Sequence, residues 1–504
     1  MTRPGFVLEV DDRTPALVVH EGEHYRLERF PLGTRVLYPP ESLPPLPDPA
    51  GAVADALAHP VAGDPLRSLL RPGMTLTVVV DDGSTPIAPI RGVDIRARAI
   101  EQVLAAAAAI GVDDVAIVVA NGLSRQPTSA SLERLLGDRV YPSFAPIGGL
   151  SCTDATADDL TPIGETADGE QIRINARAAA SDLVVFVTVV QNADDLGPAG
   201  IPIGLASARN LVRSDIRRRA AEVIANALPL FTIAATVGNE WFGRPYEFSN
   251  KREWEYSIRD HAAAASARSG LRVAPAKIRR AIVGGSLDRS DVTGIWSGEP
   301  AVVAAKAVDA VLAQQVVEVP GQSDVLIAGV PYRGPANAGV VSNPVLAAGW
   351  GLGHVFGSHR GTPIVRQGGA VILYHPLHRE FSQLQHPSYV DFYAEVLPTS
   401  TDPAVISAKF EERFASDPWY NHLYRTSHAY SGLHPFATWN SIAPALAHCG
   451  QIVWVGADRT VAKHLGFAAA STLADALEIV SHTVGDAPSI TYAHNPPHLI
   501  SDVR

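Results

Sequence analysis

Short β-branched apolar runs alternate with amphipathic stretches of helical spacing along most of this chain, and that alternation restricts it to parallel sheets joined by crossover helices. Residues 76–80, 115–119 and 183–190 read as strands, and residues 52–58, 65–70, 96–110, 131–136 and 207–227 as helices. A second set begins near Ile282, with helices over 300–314, 442–447 and 472–481 and strands over 325–329, 370–374 and 452–456. The expected fold class is therefore α/β, with two α/β domains over 1–280 and 282–504. A short β segment is expected over 1–38, from apolar runs at 6–10, 16–19 and 25–27. Prolines in residues 39–49 lack N–H donors and disfavour helix in the residues before them, so this run reads as an extended connector. Residues 229–281, with Trp241 and Trp254 among charges, follow neither period and read as an insertion or interdomain region.

With 504 residues, 46% hydrophobic and 18% charged, the chain falls in the globular range. Its net charge of -11 argues against nucleic acid, which needs clustered positive charge to displace counterions. The strongly apolar runs are too short to cross a bilayer, which takes roughly 20 residues in a helix, so no membrane span is expected. Residues 1–10 carry no secretory pattern, and the only cysteines, Cys152 and Cys449, are far apart, so a reducing, cytoplasmic location is expected. Basic charge is carried almost wholly by arginine, and the first lysine is Lys251.

Two loops follow apolar strands: Val80-Asp81-Asp82-Gly83-Ser84-Thr85-Pro86 and Ala120-Asn121-Gly122-Leu123-Ser124-Arg125. In open parallel sheets, ligands bind outside the carboxyl ends of the strands. Asp82 suits the orientation of a hydroxyl or ribose, Ser84 and Thr85 suit donation to an anion, and residues 121–125 close the same crevice from the next strand. The same residue types are also ordinary turn formers.

Several segments, in order, resemble the nickel-dependent lactate racemase family: residues 43–82, 120–125, 132–137, 163–175 (IGETADGEQIRIN), 294–304 (GIWSGEPAVVA), 325–331 and 453–479. The resemblance covers most of the chain and implies an active site in a cleft between the two domains. It also implies hydride removal from the 2-carbon to a covalently attached nickel-pincer nucleotide, while a histidine takes the hydroxyl proton. The reactive positions depart from that pattern. The first loop of the family has the form Asp-x-x-Arg-Pro, and this chain has Asp82 and Pro86 with Thr85 in place of arginine. Ser124 stands where a catalytic histidine precedes Arg125. The cofactor lysine is missing from residues 191–205 (QNADDLGPAGIPIGL), and no lysine precedes Lys251 to supply it. A later family lysine falls at Gly349, counted from Asn343. Thr85 cannot offer the bidentate charged contact that arginine gives a carboxylate.

His375 and His378 follow the strand expected at 370–374, and His386 lies in the turn Gln385-His386-Pro387. Three histidines of suitable geometry hold Ni or Zn. Against this, the spacing matches no standard zinc signature, and His-Pro turns are common surface features. Residues 417–436 concentrate Trp419, Tyr420, His422, Tyr424, His428, Tyr430 and His434, a density that suggests a lid or binding wall.

Two functions are expected from these residues. One is a racemase or epimerase of 2-hydroxy acids or sugar acids with an altered site: Asp82, Ser124 and Arg125 catalytic, Ser84, Thr85, Asn121 and Gln191 binding substrate, and His375, His378 and His386 as metal ligands. The other is a catalytically degenerate module that keeps the cleft to bind a small carboxylate or a partner.

Overall fold

In the computed structural model, residues 3–192, 200–332 and 343–504 are described. The chain is α/β, built on two large and mainly parallel sheets. The first has six strands in the order Val292–Gly298, Leu230–Val237, Leu183–Val190, Thr75–Asp81, Asp114–Ala120, Leu150–Cys152. All its pairings are parallel except the antiparallel edge strand Val292–Gly298. All eight residues of Leu183–Val190 are buried, because helices cover both faces of a central parallel strand. Burial of each such apolar side chain stabilises the sheet by roughly 1.5–3 kcal/mol.

Chain order reverses between Thr75–Asp81 and Leu183–Val190: the chain first steps outward through Asp114–Ala120 and Leu150–Cys152, then returns to the other side. Registers Val80↔Val187 and Asp81↔Ala120 set the carboxyl ends of these strands level. The loops that begin at Asp82, Asn121 and Gln191 thus open at the topological switch point, where open α/β sheets bind ligands.

The second sheet has nine strands, with the path Phe6–Glu9, Arg35–Tyr38, Ile490–Ala493, Ser323–Pro331, Val365–Tyr374, Gln451–Val455, Ala468–Ala470. The N-terminal strands were expected as a separate small sheet within the first domain. They join the C-terminal sheet instead: Arg35–Tyr38 pairs in parallel with Ile490–Ala493, and the hairpin Leu17–Gly22/His24–Glu28 reaches Ser323–Pro331 at Glu21↔Val330. Isolated hairpins are marginal in water, and pairing with a larger sheet satisfies their edges.

The region expected at 229–281 begins with a true strand of the first sheet, Leu230–Val237, and continues into the helices Ile258–Val273 and Ala276–Gly285. Between them, buried Glu253 accepts hydrogen bonds from Tyr38 Oη at 2.6 Å and Val18 N–H at 2.8 Å, and faces His494 Nε2 at 3.3 Å. Burial alone would raise the Glu253 pKa, but His494 and these donors outweigh it and the carboxyl is held low. One carboxylate therefore ties the N-terminal strands to the end of Ile490–Ala493. No helix among the described residues is long and apolar enough to cross a membrane.

Candidate functional site

The first loop is shaped by Asp81, whose neighbour Asp82 is half-buried. Asp81 accepts from Val189 N–H and Gly83 N–H, each at 3.0 Å, and pairs with Arg96 at the start of the helix Ile95–Ile110. Buried Arg96 also binds Asp94, the helix N-cap, and donates to the Thr85 carbonyl at 2.7 Å. Burial alone would lower the Arg96 pKa, but Asp81 and Asp94 outweigh it and the guanidinium stays charged. Gln191 holds the far end of the loop, since its Oε1 accepts from Ile87 N–H at 2.9 Å. Asp82 uses one oxygen to accept from Ser84 N–H at 2.9 Å, and it forms no ion pair among the described residues.

The second loop is closed by Gly204, which packs so tightly that a Cβ there would lie 2.1 Å from the Ala120 carbonyl oxygen. Its carbonyl accepts from Gly122 N–H at 3.1 Å. Residues 193–199, the middle of the stretch expected to carry a cofactor lysine, lie outside the described residues.

The aromatic and histidine-rich segment comes from the other half of the chain and lies across this second loop. Tyr424 Oη bonds the Gly122 carbonyl at 2.7 Å and receives Asn121 Nδ2 at 3.1 Å. Ser431 N–H donates to the Leu123 carbonyl at 3.1 Å, His428 Nδ1 meets the Gln126 carbonyl at 2.7 Å, and Arg425 pairs with Asp154 at 2.5 Å. Asn121 Oδ1 is buried with no hydrogen bond of its own.

This docking carries Tyr430 to the two loops. Burial pushes its hydroxyl pKa well up, while the adjacent Arg125 opposes and Asp82 reinforces that shift, so both charged groups bear on one phenol. Arg125, half-buried, forms no ion pair among the described residues. The Tyr430 ring packs near two imidazoles, 4.2 Å from His434 and 5.8 Å from His386 by ring centroids. Burial lowers the pKa of His386 to about 4, and burial together with His386 lowers His434 to about 3. Both rings are therefore neutral near pH 7.

The candidate residues thus divide. Asp82, Ser84, Thr85, Asn121, Ser124 and Arg125 share the strand-end loops, and Gln191 supports them from beneath. Of the three histidines expected to ligate metal, only His386 lies at this wall. His375 is buried and accepts from Leu377 N–H at 3.0 Å, and His378 is exposed. Among the described residues no group of three or more His, Cys, Asp or Glu side chains is arranged to hold a metal ion, so His375, His378 and His386 do not form the expected triad. Tyr424, Tyr430 and His434 were singled out in sequence only by their density, without individual roles.

The nickel-pincer nucleotide that the fold implies does not fit these residues as a lysine-tethered group. The five lysines are Lys251, Lys277, Lys306, Lys409 and Lys463, and none follows the strands Thr75–Asp81, Asp114–Ala120 or Leu183–Val190. At Gly349 a Cβ would come 2.5 Å from Thr438 Cγ2, so the space a lysine stem would need there is taken.

Comparison with known proteins agrees with this architecture. Residues 28–213 match the family model for the lactate racemase N-terminal domain. The lactate racemase apoprotein of Thermoanaerobacterium thermosaccharolyticum is similar in structure at a TM-score of 0.61 and 15% identity, covering 97% of this chain and 100% of that one. A protein of Thermotoga maritima is similar at a TM-score of 0.44 and 13% identity, over 87% of this chain and 96% of that one. No curated protein matches the chain in sequence. Residues 28–213 thus carry the lactate racemase N-terminal domain, and the overall fold is lactate racemase-like.

Proposed function

We propose that the chain is a racemase- or epimerase-type isomerase of 2-hydroxy acids or sugar acids that works without a lysine-tethered nucleotide. The observation that carries this reading is the docking of Tyr424 and Ser431 onto the second loop at the switch point of the first sheet, which sets Tyr430 in the field of Arg125 and Asp82. Arg125 binds the carboxylate, since a guanidinium with no internal ion pair is the natural counter-ion for an entering anion. Asp82 accepts a hydroxyl of the substrate through its remaining oxygen, and Asn121, Ser84 and Thr85 offer further polar contacts. Ser124 lacks base strength at neutral pH without a partner, so proton transfer falls to other groups of the cleft. The partners in this reading are small carboxylates rather than nucleic acid or membrane, and the unpaired Cys152 and Cys449 support a cytoplasmic location.

A second reading, a binding module without turnover, is favoured by Thr85 and Ser124 standing where the family has arginine and histidine. Chiral chromatography after incubation with single enantiomers of lactate and with aldonic acid epimers separates the two. Interconversion that is lost in Asp82→Ala supports the isomerase. No interconversion, with ligand binding still dependent on Arg125, supports the module; loss of both activity and binding overturns each.

A further inference from the structure

The helices Ile258–Val273 and Ala276–Gly285 concentrate basic charge in an acidic chain. Between Ile258 and Gly285 stand Arg259, Arg268, Arg272, Lys277, Arg279 and Arg280, and the only carboxylate is Asp260, whereas the whole chain has a net charge of -11. Arg279 and Arg280 are neutralised by Glu23, and Arg280 also by Glu380. Asp260 lies on the buried side of the first helix, where it completes the capping box with Ser257 and pairs with Lys251 at 3.0 Å. The carboxylates just before it are committed as well, Glu253 to His494 and Glu255 to Arg3. Arg259, Arg268, Arg272 and Lys277 are exposed and form no ion pair among the described residues.

Apolar side chains run along the same exposed surface. Asp260, Ala264, Ala267 and Leu271, three and four residues apart, form the buried stripe of the first helix. The opposite stripe, at the same spacing, is Ile258, Ala262, Ala265, Ser269 and Val273, with Ile258 90% and Val273 84% exposed. Helical spacing puts Arg259 along one border of this stripe and Arg268 and Arg272 along the other. Ile278 and Ile282, one turn apart in the second helix, are exposed beside Lys277. Single exposed aliphatics need no explanation, but an exposed apolar stripe bordered by unpaired cations marks a contact surface.

We propose that this face docks an acidic amphipathic helix of another protein, whose aliphatic side chains cover Ile258 and Val273 and whose carboxylates meet Arg259, Arg268 and Arg272. The cations select the occupant. A second copy laid face to face would set the same guanidinium groups against each other, which like-charge repulsion opposes. A nucleic acid would pair the cations and leave the aliphatic side chains uncovered. A bilayer calls for larger apolar groups such as Trp, Phe and Leu, which this stripe lacks. The capping box and the packing of Ala264, Ala267 and Leu271 in the core hold the helix in place before docking, so little ordering is lost on binding. No residue of the strand-end loops takes part, and the proposal stands apart from the isomerase reading.

Fluorescence anisotropy of the full chain with a labelled helical peptide of repeated Glu-Leu-Ala-Glu-Ala-Leu-Glu heptads tests it, against the same peptide with Lys in place of Glu. The acidic peptide should bind saturably at low ionic strength and weaken as salt is raised, and the Lys peptide should not bind. Arg268→Glu combined with Arg272→Glu, and separately Ile258→Ser combined with Val273→Ser, should each weaken binding at least about tenfold. The thermal midpoint should stay unchanged in both variants, since all four side chains are exposed. Failure of the acidic peptide to bind, or unchanged affinity in either variant, overturns the proposal. A wild-type dimer in sedimentation that the variants dissociate, or binding to phosphatidylglycerol vesicles that they abolish, also overturns it, because the face would then belong to a second copy or to a lipid surface.

Discussion

Single side chains at this site act through what burial does to them. His386 and His434 are neutral because the interior penalises their charged forms, lowering their pKa values to about 4 and about 3 from 6.5. The same holds for His354, lowered to about 4, and His20, lowered to about 3. Between the folded values and 6.5 the unfolded chain binds more protons than the folded one, so stability is fully present above about pH 6.5 and falls as the pH drops toward 4. Each group contributes about 1.4 kcal/mol per pH unit in that window. Thermal melts from pH 7 to pH 4 should show a steadily falling midpoint; a midpoint that is flat or rises on acidification would contradict neutral buried imidazoles.

At the scale of elements, the strands and most helices of the first sheet could be read directly, because apolar periodicity is a local signal. The expected strand over 183–190 is observed at those bounds, and the helix over 96–110 begins one residue earlier, where Asp94 caps it. The site was legible only in part. The strand-end loops announced themselves by turn chemistry, but the wall that completes them arrives from residues 424–434, some 300 positions away in sequence, and no local pattern encodes that docking. Nor could the spacing of His375, His378 and His386 reveal that a strand end would bury the first while leaving the second exposed. Tyr424 is the contact that decides whether this segment stays seated. Tyr424→Phe removes the bond to the Gly122 carbonyl and leaves Asn121 Nδ2 without its phenol partner, at a cost of about 1–3 kcal/mol. Hydrogen exchange should then rise in residues 420–434 and in the second loop together. Unchanged protection in both would mean that the segment is held by other contacts.

For the whole molecule, the two large sheets are interleaved along the chain. Strands from the first 38 residues complete the C-terminal sheet, and Glu253 fastens them there from the middle of the chain. A fragment of residues 282–504 would leave Ile490–Ala493 with an open edge and His494 without its carboxylate. It should be insoluble or lack a cooperative melt; a soluble fragment with a sharp thermal transition would show that the N-terminal strands are dispensable.

The strand-end loops keep their arrangement without the expected lysines, because it is set by sheet register and by docking of the aromatic segment, neither of which depends on the missing groups. In the proposed function, a small carboxylate binds at the strand-end loops on Arg125. Isothermal titration of L-lactate, D-lactate and gluconate into the wild-type chain and into Arg125→Gln tests that directly. Saturable binding that weakens at least about tenfold in Arg125→Gln, in keeping with the loss of a charge-assisted contact, is the predicted result. Equal affinity in the two proteins, or no binding to either, would contradict it.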